Sequence, residues 1–409
     1  MSRTIRSAAL LAAAALTLGA CSSPPEAVVH RGEVRAAAVG SLTAQDVAAA
    51  QRAFGTDLLA AVCAAGLGEN LVLSPTSAAE ALGLLYPAAD GETAEALGAL
   101  LHLPPWSDDV VAAMRERTTA LAALRTDDRP RDDGPDSLRS SNHLWTTAAV
   151  APTTTYLDDI ATAFDAQVEE LDFATDPEGS TERINASVRE DTAGLIEKLY
   201  ETPLDGSTVA VLTNALHLQA RWLRPFGETD DAPFTTPTGP TTVAMMHGSS
   251  GDARTAGGWT SVELPYLDGT LVAHVVLPPE GTDPCSVTAE DLDALAAAAP
   301  AEVDLSMPRL HLEQEHRLLP VLQSMGLPTA GDFPGLGAGG FAITDVIQKT
   351  YLDVDEEGTV AAAATGVGLA GGAPEERQHV LVDRPYLLLL SDTATGSPLF
   401  TAVVQDPSQ

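Results

Sequence analysis

The chain has 409 residues, 22 Lys+Arg and 57 Asp+Glu, giving a formal net charge of −35. That charge excludes a general nucleic-acid binder, which needs clustered cations, and an anionic body is repelled by acidic lipid headgroups unless something else anchors it. With 45% hydrophobic and 19% charged residues the chain can build a large core, which excludes wholesale disorder and allows two or three average domains or one large one. Three cysteines cannot form a disulfide framework, and there is neither a Cys-x-x-Cys pair nor a zinc-spaced Cys/His cluster, so no metal or other cofactor is expected.

Residues 1–20 read as a secretory signal: Arg3 and Arg6, an apolar run from Ala8 to Leu18, then small residues. The run is too short to span a bilayer. Leu18-Gly19-Ala20-Cys21 resembles the lipobox of bacterial lipoproteins, which implies lipidation of Cys21 as the mature N-terminus. Residues 21–43 are then the lipidated cysteine and a flexible tether, small and Pro-containing. The mature protein is expected to be secreted or at the cell surface, held to the membrane by acyl chains alone.

From Ala44 to Leu67, Val47, Phe54, Leu58, Leu59 and Val62 recur near helical spacing and predict a long amphipathic helix. Cys63 lies within it. A buried free thiol is the simpler expectation, and sequence alone does not decide whether Cys63 pairs with Cys285 in a distant loop. Asn70 to Leu73 reads as a short strand ending in Ser74-Pro75. A helix follows from Ala79 to Tyr86, with Ser74 or Thr76 as its cap. Residues 124–138 are charged and turn-rich and predict a surface loop. After Ser141 the pattern turns to strands with intervening helices: Thr208 to His217, Ser261 to Tyr266, Leu271 to Leu277, Glu302 to Met307, Tyr351 to Val354, Val380 to Val382 and Leu387 to Leu390. Helices first, strands later and no rich linker argue for one α+β domain over 44–409.

Several motifs fail on inspection. Gly335-Leu-Gly337-Ala-Gly-Gly340 matches GxGxxG, but a dinucleotide loop must open a helix, and here a strand-like run follows. His311 and His316 lie five residues apart rather than the four that put two metal ligands on one helix face. No GxSxG elbow is present, so no nucleophile is nominated and the chain is not expected to be an enzyme. The sequon at Asn185 is read as incidental.

One segment is physically unusual. After Tyr351 to Val354 come Asp355, Glu356, Glu357 and Gly358, then a run of small uncharged residues to Gly372. As a strand, one face would carry Thr359, Ala361, Ala363, Thr365, Val367 and Leu369, the other Val360, Ala362, Ala364, Gly366, Gly368 and Ala370. Neither face bears a charge, so the segment can enter a sheet without burying an ion. Its alanines and glycines are weak strand formers, which poises it between loop and strand. A low-complexity surface loop or an Ala-rich helix is the alternative.

Taken with its flanks, the sequence resembles the serpin family from about residue 44 to Pro407. The resemblance rests on ordered matches: Asn70 to Gly91 with Ser74-Pro75-x-Ser77; Thr213-Asn214 through Trp222 to Pro225-Phe226; Val243-Ala-Met245-Met246; Glu263-Leu-Pro265-Tyr266; Leu277-Pro278; Met307-Pro308; Met325-Gly326-Leu327; Asp355 to Thr359 with Ala361 to Ala364; and Asp383-Arg-Pro385-Tyr386 with Gly396-Ser397-Pro-Leu399-Phe400. It implies one α+β domain of three β-sheets and roughly nine helices with an exposed reactive loop, in a metastable native state. It further implies a monomeric inhibitor of a serine-type endopeptidase, which acts as a suicide substrate by inserting its cleaved loop into the main sheet.

By the same resemblance the hinge is Glu356, Glu357, Gly358, Thr359 and Ala361, Ala362, Ala363 and Ala364. The sheet-opening cluster is Ser74, Ser77, Asn214 and Gln348, with Gln348 where the family often has His. Ala402 stands where the family usually has Gly. Counting from Gly358 gives Gly372 and Ala373 as the reactive bond, which favours an elastase-like or subtilisin-like target. The segment from there to Pro385 is about two residues longer than is common in the family, so a shifted bond stays open, with Leu369 or Ala370 suiting the same enzymes, Glu375 or Glu376 a glutamyl-specific one and Arg377 a trypsin-like one. A bulky or charged residue at Thr359 or Ala361 is expected to slow insertion. The rival classes are a non-inhibitory serpin-like binder or chaperone and a lipid-anchored hydrolase.

Overall fold

The computed structural model describes residues 28–36, 40–66, 70–124, 137–192, 194, 196–337, 342–359 and 377–409. In chain order the elements are β1 (Val28–His30), α1 (Ala44–Ala65), β2 (Leu71–Leu73), α2 (Pro75–Gly83), α3 (Gly91–Leu100), α4 (Asp108–Ala122), β3 (Ser137–Thr146), α5 (Thr154–Phe164), β4 (Val168–Glu170), α6 (Pro177–Asp191), β5 (Ala210–Arg221), β6 (Glu228–Thr236), β7 (Gly239–Ala256), β8 (Trp259–Pro265), β9 (Leu271–Leu277), α7 (Ala289–Ala297), β10 (Ala301–Pro308), β11 (Leu310–Arg317), α8 (Leu319–Ser324), β12 (Asp345–Val354), β13 (Gly358–Thr359), β14 (Gln378–Leu381), β15 (Tyr386–Asp392) and β16 (Pro398–Val404).

The expected first helix forms because its apolar stripe packs inward: Val47, Phe54, Leu58, Leu59 and Val62 are all buried. A capping box between Thr43 and Asp46 starts it, and Gly66 ends it in the left-handed region at φ 65°. Ser74 is the cap of α2, accepting from Ser77 N with Pro75 in the first turn. The glycine-rich motif at 335–340 opens with a short 3₁₀ turn, Pro334–Leu336, as expected of a turn, and its last residues lie outside the described ones.

Among the described residues the strands form two sheets. The first runs β1-β4-β3-β5-β13-β12-β11; the second runs β14-β10-β7-β8-β9-β15-β16-β2, with β6 paired to β7. The eight α-helices among the described residues compare with the roughly nine implied by the resemblance. Two hydrogen-bonded sheets stand where three were implied because β7 is 18 residues long. Its first part pairs with β6, its middle with β10 and its last part with β8, so one strand joins two regions into a single sheet.

Two expectations are corrected. Cys63 is not a free thiol: it is bonded to Cys285, tying the end of α1 to the turn after β9. The tether does not extend to residue 43 either. Val28 to Arg35 belongs to the folded body, with β1 paired to β4 and the following residues bonded along α5. The physical reason is that an edge strand offers unpaired N–H and C=O groups, and this segment caps them.

Candidate functional site

The odd acidic segment identified in the sequence begins as a wedge in the middle of the first sheet. Lower down, β5 and β12 pair directly in parallel, Val211 to Leu216 against Asp345 to Thr350. Higher up they part, and β13 enters antiparallel to both: Gly358 opposite Arg221, Thr359 opposite Ala220 and also opposite Val354. Gly358 is required there. A Cβ at that position would stand 2.0 Å from the Ala220 carbonyl oxygen and 2.8 Å from the Arg221 Cα. Thr359 is 1% exposed, its hydroxyl 2.7 Å from the Tyr266 hydroxyl.

The turn leading into β13 is held from three sides. Asp355 Oδ1 accepts from the backbone N–H groups of Glu357 and Gly358 at 2.8 and 3.1 Å. The Trp222 and Phe226 N–H groups donate to the carbonyls of Glu357 and Glu356, each at 2.9 Å. The Trp222 indole donates to the Asp355 carbonyl at 3.0 Å while stacking on Tyr266 with ring centroids 4.4 Å apart. The Glu356 carboxylate takes a forked pair from Arg309, Nε at 2.9 Å and Nη2 at 2.6 Å, and a further bond from the Thr229 hydroxyl. Burial pushes Glu356 up, but Arg309 and Thr229 outweigh it and hold the carboxyl below its ordinary range. Asp355 goes the other way, raised first by burial and further by Glu356 and Asp353. A cleft of about 840 Å³ borders this turn, lined among others by Phe226, Arg309, His311 and Glu356.

The proposed sheet-opening residues lie lower, where β12 crosses the free edge of β2. Gln348 Oε1 accepts from Ser74 N at 2.9 Å, and its Nε2 donates to Ser74 O at 3.0 Å. Ser77 N is 3.3 Å from Ser74 Oγ. Asn214 is brought beside them through its backbone, in register with Gln348 across β5 and β12. Two members of this junction were not anticipated. The Thr350 hydroxyl donates to Val72 O at 3.0 Å, and Gln314 accepts from Val72 N at 2.7 Å and donates to Asn70 O at 2.6 Å. Side chains of β11 and β12 thus satisfy the backbone of β2 on the edge that, among the described residues, no further strand covers. The available signal was polar residues spaced by two, Gln348 and Thr350, on the strand face that otherwise carries Val346, Leu352 and Val354.

Another missed cluster pins α6 to the sheet. His143 on β3 contacts Glu169 of β4 at 3.1 Å and Asp191 of α6 at 2.9 Å, and stacks on Trp145 with centroids 5.1 Å apart. Arg183 of α6 donates to the other Glu169 oxygen at 2.9 Å. Burial pushes the imidazole down, but the bonds to Asp191 and Glu169 outweigh it and lift its pKa to about 9. Burial also holds Glu169 up less than His143 and Arg183 draw it down.

The other expected sites resolve as follows. Residues 360–376, which include Ala361 to Ala364, Gly372 and Ala373, lie outside the described residues, as does Cys21. Arg377 is paired with Glu302 at 3.2 Å and Asp304 at 3.7 Å. Asn185 is 2% exposed and its amide is occupied by the backbone of Leu199 and Tyr200, so its sequon is a structural element. Asp230, His247 and Ser306 do line up, at 3.0 and 2.7 Å, with His379 a further 2.9 Å from Ser306. Yet Ser306 is 1% exposed, out of reach of any substrate. Among the described residues no group of three or more His, Cys, Asp or Glu could hold a metal, and no helix is long and apolar enough to cross a membrane.

This arrangement, a two-residue strand wedged between two central strands over a bonded inter-sheet junction, has counterparts in known proteins. The sequence model described as Serpin (serine protease inhibitor) matches residues 49–407. The chain is 31% identical over 363 residues to an uncharacterized serpin-like protein of Thermococcus kodakarensis, covering 84% of this chain and 82% of that one. It is 29% identical over 357 residues to Iripin-8 of Ixodes ricinus, covering 81% and 86%. Among solved structures, that of the thermophilic serpin tengpin in its native state superposes with a TM-score of 0.80 at 22% identity, covering 93% of this chain and 100% of that one. The chain belongs to the serpin family, and it has the serpin fold. Serpins are in general inhibitors of serine proteases rather than enzymes.

Proposed function

We propose that the protein is a suicide inhibitor of a serine endopeptidase, trapping the acyl-enzyme by inserting the cleaved segment after Thr359 between β5 and β12. The observation that carries this reading is the wedge: β13 already occupies the top of the gap, in the antiparallel register a longer inserted strand would continue. Each further residue steps one place down β5, so Leu369 would fall opposite Ala210, its first residue. The counted bond, Gly372-Ala373, then lies just past the end of the sheet, so a protease attached to Gly372 would be drawn along the full strand. That is a travel of roughly 30 Å for ten residues at about 3.3 Å each. Arg377 would leave a long surplus beyond the sheet, and it is occupied by Glu302 and Asp304. Small residues at the counted bond favour elastase-like or subtilisin-like targets. The protease does the chemistry on its own serine; the inhibitor supplies a faster competing step.

The reading extends to location. With Cys63 and Cys285 bonded to each other, Cys21 is the one thiol left over, and it stands at the cleavage point of a lipobox-like leader. A lipid-anchored, otherwise monomeric protein outside the cytoplasm fits this, since a structural disulfide suits an oxidising compartment.

The test is to mix the domain from Ser22 onward with elastase, subtilisin, trypsin and a glutamyl-specific protease and look for a denaturant-stable adduct, locating the cut by intact mass. An arginine at Thr359 would also expel β13 from the intact protein, because Thr359 is already buried in the sheet. Ala361→Arg isolates insertion, because Ala361 shares the inward face. Burying that guanidinium costs several kcal/mol, so insertion slows by about 100-fold or more and the stoichiometry of inhibition rises well above one. An unchanged stoichiometry refutes the mechanism, and clean cleavage without adduct across the panel favours a non-inhibitory serpin.

A further inference from the structure

We infer that the stitched segment Val28 to Arg35 fixes the orientation of the body on a lipid bilayer, with the pole opposite the hinge facing the headgroups. This rests on the reading of Cys21 as lipidated and deepens it. A lipid anchor on a long free linker lets the body tumble; here the linker ends early. Between Cys21 and Val28 lie only Ser22 to Ala27, so the two are at most about 25 Å apart when the chain is fully extended.

From Val28 on, the chain is bound to the fold. Val28, Val29 and His30 pair with Glu170, Glu169 and Val168 of β4. His30 reaches Glu170 at 3.0 Å, Arg31 pairs with Asp165 at 3.1 Å, Glu33 N donates to Asp158 at 2.8 Å, Arg35 N donates to Thr162 at 2.9 Å, and Arg35 pairs with Asp159. At Gly32 the backbone lies flush on α5: a Cβ there would stand 2.1 Å from the Leu157 carbonyl carbon. Partners on both β4 and α5, on opposite sides of Gly32, remove the swivel that a single contact would leave.

The register places the exit point. Glu170 is level with Thr146, and Thr146 is level with Ala210, the lower end of β5. The hinge residue Thr359 is level with Ala220. Ten residues of β5 separate the two levels, about 33 Å at the rise of a β-strand. Val28 therefore leaves the sheet at the end farthest from the hinge, and the tether can hold that end within about 25 Å of the membrane. The surface there fits a bilayer reached by the anchor rather than by charge. A chain of net charge −35 gains nothing from anionic headgroups, whereas Val28 and Val29, at the exit point, are two of the six exposed large hydrophobic residues among the described ones.

The experiment couples the full mature chain through the Cys21 thiol to a synthetic lipid in phosphatidylcholine vesicles, so that its result does not depend on acylation in the cell. One fluorophore is placed at exposed Ser207, below β5, and in a second preparation at exposed Leu223, above it. An energy acceptor in the headgroup layer should quench the Ser207 probe several-fold more than the Leu223 probe. The difference should vanish in the Arg31→Asp, Arg35→Asp double variant, which puts carboxylates against Asp165 and Asp159, with circular dichroism confirming that the body stays folded. Equal quenching at the two positions in the wild type, stronger quenching at Leu223, or a difference that persists in the folded double variant would each overturn the inference. Absence of acyl chains on Cys21 in protein isolated from its source would instead remove the lipidation reading and leave the orientation result standing as a property of the tether.

Discussion

Replacing Gln348 by alanine tests the inter-sheet junction directly. The amide is 1% exposed and makes two bonds to the backbone of Ser74, itself fully buried. After truncation the Ser74 carbonyl keeps the Ala78 N–H at 3.0 Å, but the Ser74 N–H loses the partner Gln348 gave it. A buried orphan donor costs about 1–3 kcal/mol, the second bond about 1 kcal/mol, and the vacated volume adds to both, for a total near 3 kcal/mol. The loss falls on the intact state, in which β12 is docked on β2. Urea unfolding of purified protein should show the first transition destabilised by about that amount. The intact protein should also convert faster, on warm incubation, to a form resistant to heat. Gln348→Glu retains an acceptor for Ser74 N but, when ionised, buries a charge and sets an oxygen against Ser74 O. It should therefore destabilise at least as much as alanine at neutral pH and recover on acidification, when the protonated carboxyl can donate to Ser74 O. A loss under about 1 kcal/mol for Gln348→Ala, or a Gln348→Leu variant as stable as wild type, refutes the assignment of these bonds as the tie between the sheets.

The His143 cluster sets a pH dependence with a definite sign. Its folded pKa of about 9 lies above the ordinary 6.5, so its contribution is complete below pH 6.5 and is lost as pH rises through about 9. The shift corresponds to something on the order of 3 kcal/mol, so wild type minus His143→Gln, measured in urea at pH 6, 7.5 and 9.5, should shrink steadily. The subtraction is needed because burial lowers His274 and His316, whose contributions instead fall away on acidification through the ordinary histidine range. A difference independent of pH refutes the ion-pair reading. Removing the cross-link with a Cys63→Ser, Cys285→Ser double variant releases a loop of 222 residues, for which chain entropy sets a ceiling of about 5 kcal/mol; a thermal midpoint unchanged by the double variant would refute any stabilising role. On vesicles the two proposals interact. Insertion carries the protease to the pole that the short tether holds near the bilayer, so a 30-residue Gly/Ser insertion after Ser22 should speed trapping on vesicles and leave it unchanged in solution; equal rates on vesicles with both tethers refute this.

What was legible in the sequence follows from which interactions are local. The stripe of α1, the Ser74 cap and the strand Leu271 to Leu277 depend on periodicity and near neighbours, and each forms where the pattern puts it. The turn Asp355 to Thr359 stood out for a different reason: a charge-free run after an acidic turn is improbable in so acidic a chain unless something excludes ions from it. The partners that hold this turn were not legible. Arg309 lies 47 residues from Glu356, Thr229 lies 127 away, and nothing in the local pattern of β6, or of the junction between β10 and β11 where Arg309 sits, marks either side chain as its partner. Asp230 and Asp231 in β6 argue against a strand altogether, and the strand exists because β7 supplies nine paired residues beside it. The tether was misjudged on the same ground. Residues 28–35 carry no strong strand pattern of their own, and their order comes from an edge, Val168 to Glu170, and a helix, Thr154 to Phe164, more than a hundred residues further along the chain. Local propensity therefore decides where an element begins when its contacts are its own turns, and fails where an element exists only to complete another's hydrogen bonds. β1 and β2 are both of that second kind. One satisfies the outer edge of the first sheet, and the other is satisfied by Gln314, Gln348 and Thr350 reaching across from it. The sheet that opens in the proposed mechanism is thus fastened by bonds between residues far apart in sequence, so a change at one fastening can ease that opening without unfolding the helices packed around it.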